Sequence, residues 1–252
     1  MQIKDRVALV TGGASGLGEA CVKNIIANGG KAVILDMNEE GGKALAAEMG
    51  ENCISFKTDI SSEESVQAAV NGTMEKFGRI DFAINCAGFG IGTKVLSKEG
   101  PHPLGPFARV IEVNLIGTFN VIRLAVEQMA KNEPDAEGER GVVIMTSSTA
   151  AYEGGIGQAA YSASKGGICG MTLPMARELA AHGIRVVTIV PGLFETPIYA
   201  TTNEKVLAHL KGLTPFPKRF GKPSEFAQLA QEMIENPMFN GTNVRLDGAC
   251  RM

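Results

Sequence analysis

Short runs of apolar residues recur along the chain and alternate with longer stretches in which apolar and polar positions mix. A run that is apolar at every position is typical of a strand buried on both faces of a parallel sheet. Segments that are wholly or partly apolar in this way predict strands at Val7–Val10, Ala32–Leu35, Cys53–Phe56, Phe82–Asn85, Gly141–Thr146, Arg185–Val190 and Asn243–Leu246.

The intervening stretches predict helices. The first follows a glycine-rich turn and ends near Asn28, before Gly29 and Gly30. The others are expected at Glu39–Met49, Glu63–Phe77, Phe107–Met129, Gln158–Ala181 and Pro223–Ile234.

Strands that alternate with helices of this length imply right-handed βαβ units. We therefore predict an α/β fold, a Rossmann-like doubly wound sheet of seven parallel strands with helices on both faces. Since no linker or repeat interrupts the pattern, residues 1–252 are expected to form a single domain. Its cofactor-binding half would span about 1–150, and its catalytic and substrate-loop half about 140–252.

Three segments interrupt the alternation. Phe89–Pro106 and Leu193–Phe220 follow the carboxyl ends of strands, where ligands bind in open α/β sheets. The second of these contains a short helical piece near Glu204–Leu210, and its length and prolines suggest a mobile lid. Asn132–Arg140 is polar and acidic, and is expected to be a surface excursion.

Composition narrows the class of protein. Hydrophobic residues make up 44% of the 252 residues, charged residues 20%, and the net charge is −3, as in an ordinary globular protein. No basic run favours nucleic acid, and no apolar stretch is long enough to span a membrane. The five scattered cysteines form no metal-binding pattern and predict free thiols in a reducing compartment. The chain starts directly before a strand, so a cytoplasmic location is expected.

The turn TGGASGLG at 11–18 lies between the first predicted strand and the first predicted helix. Gly12, Gly16 and Gly18 lack Cβ atoms, so backbone N–H groups and the helix N-terminus can approach a pyrophosphate. A glycine-rich turn can also serve only to reverse the chain, but this strand–turn–helix context favours a dinucleotide.

Asp36 ends the second predicted strand, where a carboxylate can accept hydrogen bonds from the ribose hydroxyls of adenosine. It would repel a 2′-phosphate, and Met37 rather than a basic residue follows it. We therefore predict NAD rather than NADP. The alternative interpretation is a solvated helix N-cap.

Two further strand ends are expected to border the adenine and its ribose. Cys86 is interpreted as a packing residue that presents backbone to the cofactor, because no neighbour in the sequence is basic enough to activate a thiolate. The residues at these two strand ends are Asp59, Ile60, Asn85, Cys86, Ala87 and Gly88.

Tyr161 and Lys165 are four residues apart in a predicted helix and therefore share one face, and Ser148 follows the fifth predicted strand. The reference pKa of tyrosine is about 10, and a nearby ammonium together with an oxidised nicotinamide would lower it. Ser148 can donate to the substrate oxygen beside Tyr161. A surface tyrosine near a lysine is the alternative interpretation. Asn114 would either bend its helix or hold a water that links Lys165 to solvent.

Together these residues resemble the short-chain dehydrogenase/reductase family. The matching pieces occur in the family's order along the whole chain. They are TGGASGLG at 11–18, Asp36, Asp59, NCAG at 85–88, Asn114, Ser148, YSASK at 161–165 and PGLFET at 191–196.

The resemblance implies a catalytic set of Ser148, Tyr161, Lys165 and Asn114, with Gln158 joining Ser148 and Tyr161 at the substrate. The residues implied at NAD are Gly12, Ser15, Gly16, Leu17, Gly18, Asp36, Asp59, Ile60, Asn85, Cys86, Ala87, Gly88, Tyr161, Lys165, Pro191, Phe194 and Thr196.

Within the family, the chain is most similar to members that oxidise (S)-3-hydroxyacyl-CoA, including 2-methyl-branched substrates, in fatty-acid or isoleucine breakdown. A homotetramer is also implied. Alternatives are a dehydrogenase of hydroxysteroids or other secondary alcohols, a 3-oxoacyl carrier-protein reductase, and a catalytically silent NAD-binding scaffold.

Overall fold

The computed structural model describes residues 1–197, 203 and 210–251. Within this part of the chain, seven parallel strands form one sheet in the order β3-β2-β1-β4-β7-β8-β9. The strands of this sheet are β1 (Val7–Thr11), β2 (Lys31–Asp36), β3 (Cys53–Lys57), β4 (Phe82–Asn85), β7 (Gly141–Thr146), β8 (Ile184–Pro191) and β9 (Asn243–Leu246). The predicted fold class and all seven predicted strands are confirmed, and β4 pairs with β7 across the boundary between the two predicted halves.

Helices cover both faces of the sheet. They are α1 (Gly16–Ala27), α2 (Glu39–Met49), α3 (Glu63–Phe77), α4 (Leu104–Ile111), α5 (Thr118–Met129), α6 (Ala150–Glu153), α7 (Ala159–Leu179) and α8 (Pro223–Glu235). Short helical turns of other types span Glu112–Gly117, with π-helical geometry, and Ala180–His182, with 3₁₀ geometry.

Two apolar cores explain this layering. On one face, the buried side chains of α1, α2 and α8, such as Val22, Leu45 and Phe226, pack against the sheet. On the other face, α3, α5 and α7 contribute residues such as Val70 and Ile168. Because β1, β4, β7 and β8 are buried along their whole length, burial of the central strands on both faces fixes the order of the layers.

The structure differs from the sequence predictions at the irregular segments. Phe89–Pro106 contains a short hairpin of β5 (Leu96–Ser97) and β6 (Gly100–Pro101). The predicted helix near 204–210 lies outside the described residues except for Leu210. On either side of the residues that are not described, Phe194 and Gly221 form a parallel β-bridge with each other.

The interpretation of Asn132–Arg140 as a surface excursion is wrong for Glu139. That carboxylate is buried, where it hydrogen-bonds the guanidinium of Arg185 and accepts from the Met1 amino group at 2.7 Å. Arg185 also donates to the carbonyls of Met233 and Ile234 near the end of α8. Four chain segments therefore meet at one charged cluster, which the local polarity of the loop did not indicate.

Candidate active site

One continuous cavity of about 790 Å³ runs along the carboxyl edge of the sheet. It extends from Asp36 at the end of β2 to Gln158 before α7. The residues predicted for the site that line it are Gly12, Ser15, Gly16, Leu17, Gly18, Asp36, Asp59, Ile60, Cys86, Ala87, Gly88, Ser148, Gln158, Tyr161, Lys165, Pro191, Phe194 and Thr196. Asn85 and Asn114 are absent from this lining.

The glycine-rich turn is packed too closely for side chains. Gly12 and Gly16 have φ angles of +63° and +55°, which glycine adopts without strain. A Cβ on Gly18 would lie 2.2 Å from the carbonyl oxygen of Gly12, and one on Gly12 would lie 3.0 Å from the backbone of Ala87. The absence of side chains therefore brings the start of α1 against the ends of β1 and β4.

The N-terminus of α1 faces the cavity without a side-chain cap. Ser15 occupies the N-cap position in an extended conformation, and its hydroxyl makes no capping hydrogen bond. The first-turn N–H groups of a helix have no partner within the helix, and they carry the positive end of its dipole. This cradle fits the pyrophosphate of a dinucleotide.

Asp36 is held in place by backbone groups. Its Oδ2 accepts from the Ala14 N–H at 3.0 Å, and its Oδ1 accepts from the Asn38 N–H at 2.9 Å. The alternative interpretation as a helix cap is wrong, because Asn38 caps α2 by accepting from the Gly41 N–H. The exposed Met37 adjoins Asp36 in the lining.

Basic side chains in this lining are confined, among the described residues, to Arg109 and Lys165. Arg109 approaches Asp59, and Lys165 binds the carbonyl of Thr146, so their partners lie at other strand ends than that of Asp36. The surroundings of Asp36 thus suit ribose hydroxyls rather than a phosphate.

Asp59 follows β3 and is fixed by a local turn. Its Oδ1 accepts from the Ser61 N–H at 2.9 Å and from the Ser61 hydroxyl at 2.6 Å. These hydrogen bonds, the hydroxyl's above all, hold the pKa of the Asp59 carboxyl below its ordinary value, and Arg109 adds to the effect. Beside it, Ile60 is buried, with its carbonyl accepting from the Asn120 amide at 2.9 Å.

Asn85 ties two strands together instead of facing the cavity. Its amide donates to the Ile144 carbonyl at 3.2 Å and so links β4 to β7. Its Oδ1 is buried and has no hydrogen-bond partner among the described residues.

Cys86, the next residue, has a basic neighbour that the sequence did not reveal. Its Sγ accepts from the Thr146 hydroxyl at 3.6 Å. The pKa of the Cys86 thiol is lowered, chiefly by a hydrogen bond with the Cys21 thiol and further by Thr146 and the Lys165 ammonium, against the effect of burial. The fold brings that ammonium from 79 residues further along the chain.

Tyr161 and Lys165 lie on the first turns of α7, facing the end of β7. The Lys165 ammonium is 4% exposed, donates to the Thr146 carbonyl at 2.8 Å, and lies 5.7 Å from the centroid of the Tyr161 ring. The Ser147 hydroxyl donates to the Lys165 carbonyl at 2.8 Å and thereby fixes α7 to the strand end. The predicted convergence of Tyr161, Lys165 and Ser148 is present.

The pKa values at this end are governed by burial. Burial raises the pKa of the Tyr161 phenol, and a hydrogen bond with Ser148 partly opposes the rise. Burial also lowers the pKa of Lys165 to about 8. The expected net lowering of the Tyr161 pKa is not seen, because burial of the phenol has the largest effect.

Asn114 sits on the π-helical turn between α4 and α5 and is fully buried. Its Oδ1 accepts from the Phe89 N–H at 3.0 Å, and its amide donates to the Phe89 carbonyl at 2.8 Å and to the Ser164 hydroxyl at 3.1 Å. A Cβ on Gly88 would lie 3.1 Å from Asn114 Oδ1 and 3.5 Å from Lys165 Nζ. Asn114 thus ties the loop after β4 to α7 beside Lys165.

The end of the cavity that was predicted to bind substrate is lined by Ser148, Gln158 and the segment after β8. The Ser148 hydroxyl accepts from the Ala150 N–H at 3.2 Å, and Gln158 Oε1 accepts from the Gly155 N–H at 2.8 Å. The Pro191 carbonyl accepts from the Thr149 N–H at 3.0 Å. Across the cavity, a Cβ on Gly16 would lie 3.4 Å from the Thr196 side chain, so this segment closes over the glycine-rich turn.

Several lining residues were not named individually by the sequence predictions, although some of them lie in the PGLFET motif or in the Phe89–Pro106 loop. The clearest is Arg109, which reaches the cavity from α4 although it is fifty residues from Asp59. The others are Leu35, Met37, Thr58, Phe89, Gly90, Ile91, Gly92, Val113, Thr146, Ser147, Thr149, Ala150, Gly192, Leu193, Pro197 and Leu210.

Fold and site together define an oxidoreductase that uses a nicotinamide cofactor. The chain belongs to the short chain dehydrogenase family, whose model matches residues 6–207. It is 54% identical over 252 residues to bovine (Bos taurus) 3-hydroxyacyl-CoA dehydrogenase type-2, covering 99% of this chain and 97% of that protein.

Two solved structures of related proteins have the same fold as this chain. A 3-hydroxyacyl-CoA dehydrogenase type-2 from Mycobacterium avium superposes with a TM-score of 0.94 at 43% identity, covering 98% of this chain and 96% of the other. A 3-ketoacyl-(acyl-carrier-protein) reductase from Brucella melitensis, complexed with NADH, gives 0.86 at 32% identity over 98% of both chains. Among the described residues, no helix has the length and apolarity needed to cross a membrane, and no cluster of side chains suits a metal ion.

Proposed function

We propose that this oxidoreductase oxidises (S)-3-hydroxyacyl-CoA to 3-oxoacyl-CoA with NAD, and that 2-methyl-3-hydroxybutyryl-CoA is among its substrates. The observation that carries the reaction type is the convergence of Ser148, Tyr161 and Lys165 at one end of the cavity that begins at Asp36. The thioester substrate is supported by the high identity to the bovine dehydrogenase over nearly the whole of both chains.

The adenosine ribose of NAD would lie at Asp36, and its pyrophosphate at the N-terminus of α1. The carboxylate accepts hydrogen bonds from the 2′- and 3′-hydroxyls and repels a 2′-phosphate. The uncapped N–H groups after Ser15 suit the two negatively charged phosphates. Bound NAD supplies an acceptor for the hydride that leaves C3 of the substrate.

Tyr161 acts as the general base in this proposal. The Ser148 hydroxyl holds the substrate oxygen within reach of the Tyr161 phenol, which takes the hydroxyl proton. Because burial raises the pKa of the phenol, a compensating positive charge is required, and an oxidised nicotinamide would supply it. In the reverse direction Tyr161 returns the proton to the carbonyl oxygen of the ketone.

Lys165 and Asn114 complete the set. Lys165 Nζ is poised at the Thr146 carbonyl, from where it can also donate to the nicotinamide ribose. Asn114 is proposed to hold a water that links Lys165 to solvent as a path for protons. It lies beside Lys165, where its hydrogen bonds join the loop after β4 to α7.

The oligomeric state, the cellular compartment and the metabolic role are proposed from the resemblance and from two structural features. Ile116, just before α5, and Phe119, in its first turn, have exposed apolar side chains, which are consistent with contact between copies in a homotetramer. All five cysteines are free, as expected in a reducing compartment such as the cytoplasm. The metabolic role would be fatty-acid or isoleucine breakdown.

The fastest test is a spectrophotometric assay at about 340 nm, the NADH band, with acetoacetyl-CoA. We expect rapid NADH oxidation, much slower turnover with NADPH, and lower kcat/KM with a 3-oxoacyl carrier protein or a ketosteroid. Since the Brucella reductase structure holds NADH, cofactor choice cannot separate the substrate classes, and the thioester comparison has to do so. NADH binding without turnover of any ketone would instead support the scaffold alternative.

A further inference from the structure

Arg109 is the cation that reaches the adenosine end of the cavity. It projects from α4, and its NH2 group lies 3.6 Å from Asp59 Oδ2, while NH1 donates to the Ser61 hydroxyl at 3.1 Å. Both partners belong to the turn after β3. A single guanidinium thus contacts the two side chains that define the conformation of that turn.

The two carboxylate oxygens of Asp59 differ in their hydrogen-bond partners. Oδ1 is taken up by the backbone N–H and the hydroxyl of Ser61. Oδ2 has the guanidinium of Arg109 at 3.6 Å, which is beyond ordinary hydrogen-bond length. Oδ2 therefore keeps its lone pairs for a donor in the cavity, while Arg109 adds a second constraint to the Ser61 turn that holds the carboxylate.

Arg109 is itself anchored. Its NH1 donates to Glu112 Oε2 at 2.9 Å, and this hydrogen bond raises the pKa of the guanidinium further above its ordinary value. The Arg109 side chain is 47% exposed and that of Asp59 is 35% exposed. Ion pairs at such exposure contribute little to stability, so replacing Arg109 should leave the fold intact.

We infer that Arg109 is a positioning residue that fixes Asp59 Oδ2 to accept a hydrogen bond from the exocyclic amino group of the adenine of NAD. This inference rests on the proposed function. A carboxylate accepts from an amino group, whereas a carbonyl at the same position of the base offers only lone pairs. Arg109 should therefore influence how well the protein distinguishes adenine from a base with a carbonyl in place of the amino group.

The test compares equilibrium binding of NADH and of reduced nicotinamide hypoxanthine dinucleotide, which carries a carbonyl in place of the amino group. Fluorescence of the dihydronicotinamide reports both, without any turnover. One hydrogen bond to a charged group predicts that the native protein binds NADH about tenfold more tightly. In Arg109→Gln we expect the ratio to fall to about threefold or less, and Arg109→Lys should retain more of it than Arg109→Gln.

Arg177→Gln is the matched control. Arg177 is an exposed arginine on α7, and it does not line the cavity. Its variant should keep the native ratio of the two dissociation constants. Asp59→Asn should abolish the preference, because an amide can turn its NH2 group toward a carbonyl.

An unchanged ratio of the two dissociation constants in Arg109→Gln would overturn the inference. This holds even if both nucleotides bound more weakly, because an equal loss would show only that the positive charge of Arg109 attracts the phosphates of either nucleotide. A native protein that binds both nucleotides equally would also overturn it and leave the proposed function intact. Failure of the native protein to bind NADH at all would overturn the proposed function itself.

Discussion

The two ends of the cavity are built in opposite ways. The end proposed for the adenosine has backbone N–H groups and two partly exposed carboxylates, Asp36 and Asp59, each held by hydrogen bonds from backbone N–H groups. The opposite end brings together side chains from β7, α7 and the π-helical turn, with Asn114 and Lys165 almost completely buried.

The pKa shifts at the two ends differ because the groups differ in their exposure to solvent. Hydrogen bonds lower the pKa of the partly exposed Asp59, so its charged form is favoured. Burial lowers the pKa of Lys165 to about 8 and raises that of Tyr161, so both charges are disfavoured. A site can thus recognise a cofactor with stable charges and carry out proton transfer with charges that are costly to form. Changes at the buried end should consequently have the larger effects.

Tyr161→Phe should have the largest effect, since it removes the proton acceptor and leaves the adenosine end intact. We expect kcat/KM to fall by about 10³-fold, in the range of general acid–base catalysis, while the Kd for NADH stays near the native value. Tyr152→Phe, at an exposed tyrosine outside the cavity, should retain native kinetics. Full activity in Tyr161→Phe would refute its role.

Lys165 should make stability depend on pH. Its pKa is about 8 in the folded protein and near 10.5 when unfolded, so between these values the unfolded chain binds the extra proton and stability rises with pH. The native protein should gain about 3 kcal/mol of unfolding free energy relative to Lys165→Met from pH 8 to 10.5. Urea unfolding across this range measures it, and parallel curves for the two proteins would contradict the burial of the charge.

Asn114→Ala should destabilise the fold by about 2 kcal/mol, because it leaves the Phe89 backbone groups and the Ser164 hydroxyl without their partner. The same variant should lower kcat more than it changes the Kd for NADH. Asn71→Ala, at an exposed position whose amide oxygen accepts only from Gln67, provides the control for urea unfolding. Equal stability of the two variants would show that the tie beside Lys165 is unimportant.

Asp36→Asn should have the smallest effect in free energy. The amide removes the charge and can keep only one of the two backbone hydrogen bonds, so the preference for NAD over NADP in kcat/KM should fall about tenfold, mainly through better use of NADP. Glu51→Gln removes a charge at an exposed position before β3 and should leave the preference unchanged. An unaltered preference in Asp36→Asn would remove the argument for NAD.

The sequence predicted the strands, most helices and the outline of the cavity, because apolar runs and short motifs depend on local spacing. The ends of neighbouring parallel strands meet at one edge, so residues such as Asp36 and Ser148 were placed correctly from their position after a strand. The π-helical turn at Glu112–Gly117 was missed, since one extra residue in a helical turn leaves the apolar pattern nearly unchanged.

Contacts between distant segments could not be predicted in the same way. The pairing of Arg109 with Asp59 and the burial of Glu139 against Arg185 depend on which helix passes which strand end. The directions of the pKa shifts of Tyr161 and Lys165 also follow from burial. The sequence indicates only that Tyr161 lies on a helix, and it does not indicate how deeply the side chain is buried. Hydrogen-bond partners of the site were therefore harder to foresee than its members.

The most direct test of the account is a crystal structure of the protein with NAD and a 3-hydroxyacyl-CoA in the Tyr161→Phe variant. We predict the dinucleotide along the carboxyl edge of the sheet, with its adenosine at Asp36 and the substrate hydroxyl within about 3.5 Å of the Ser148 hydroxyl. A dinucleotide bound elsewhere on the molecule, or a substrate hydroxyl remote from Ser148 and position 161, would contradict the account.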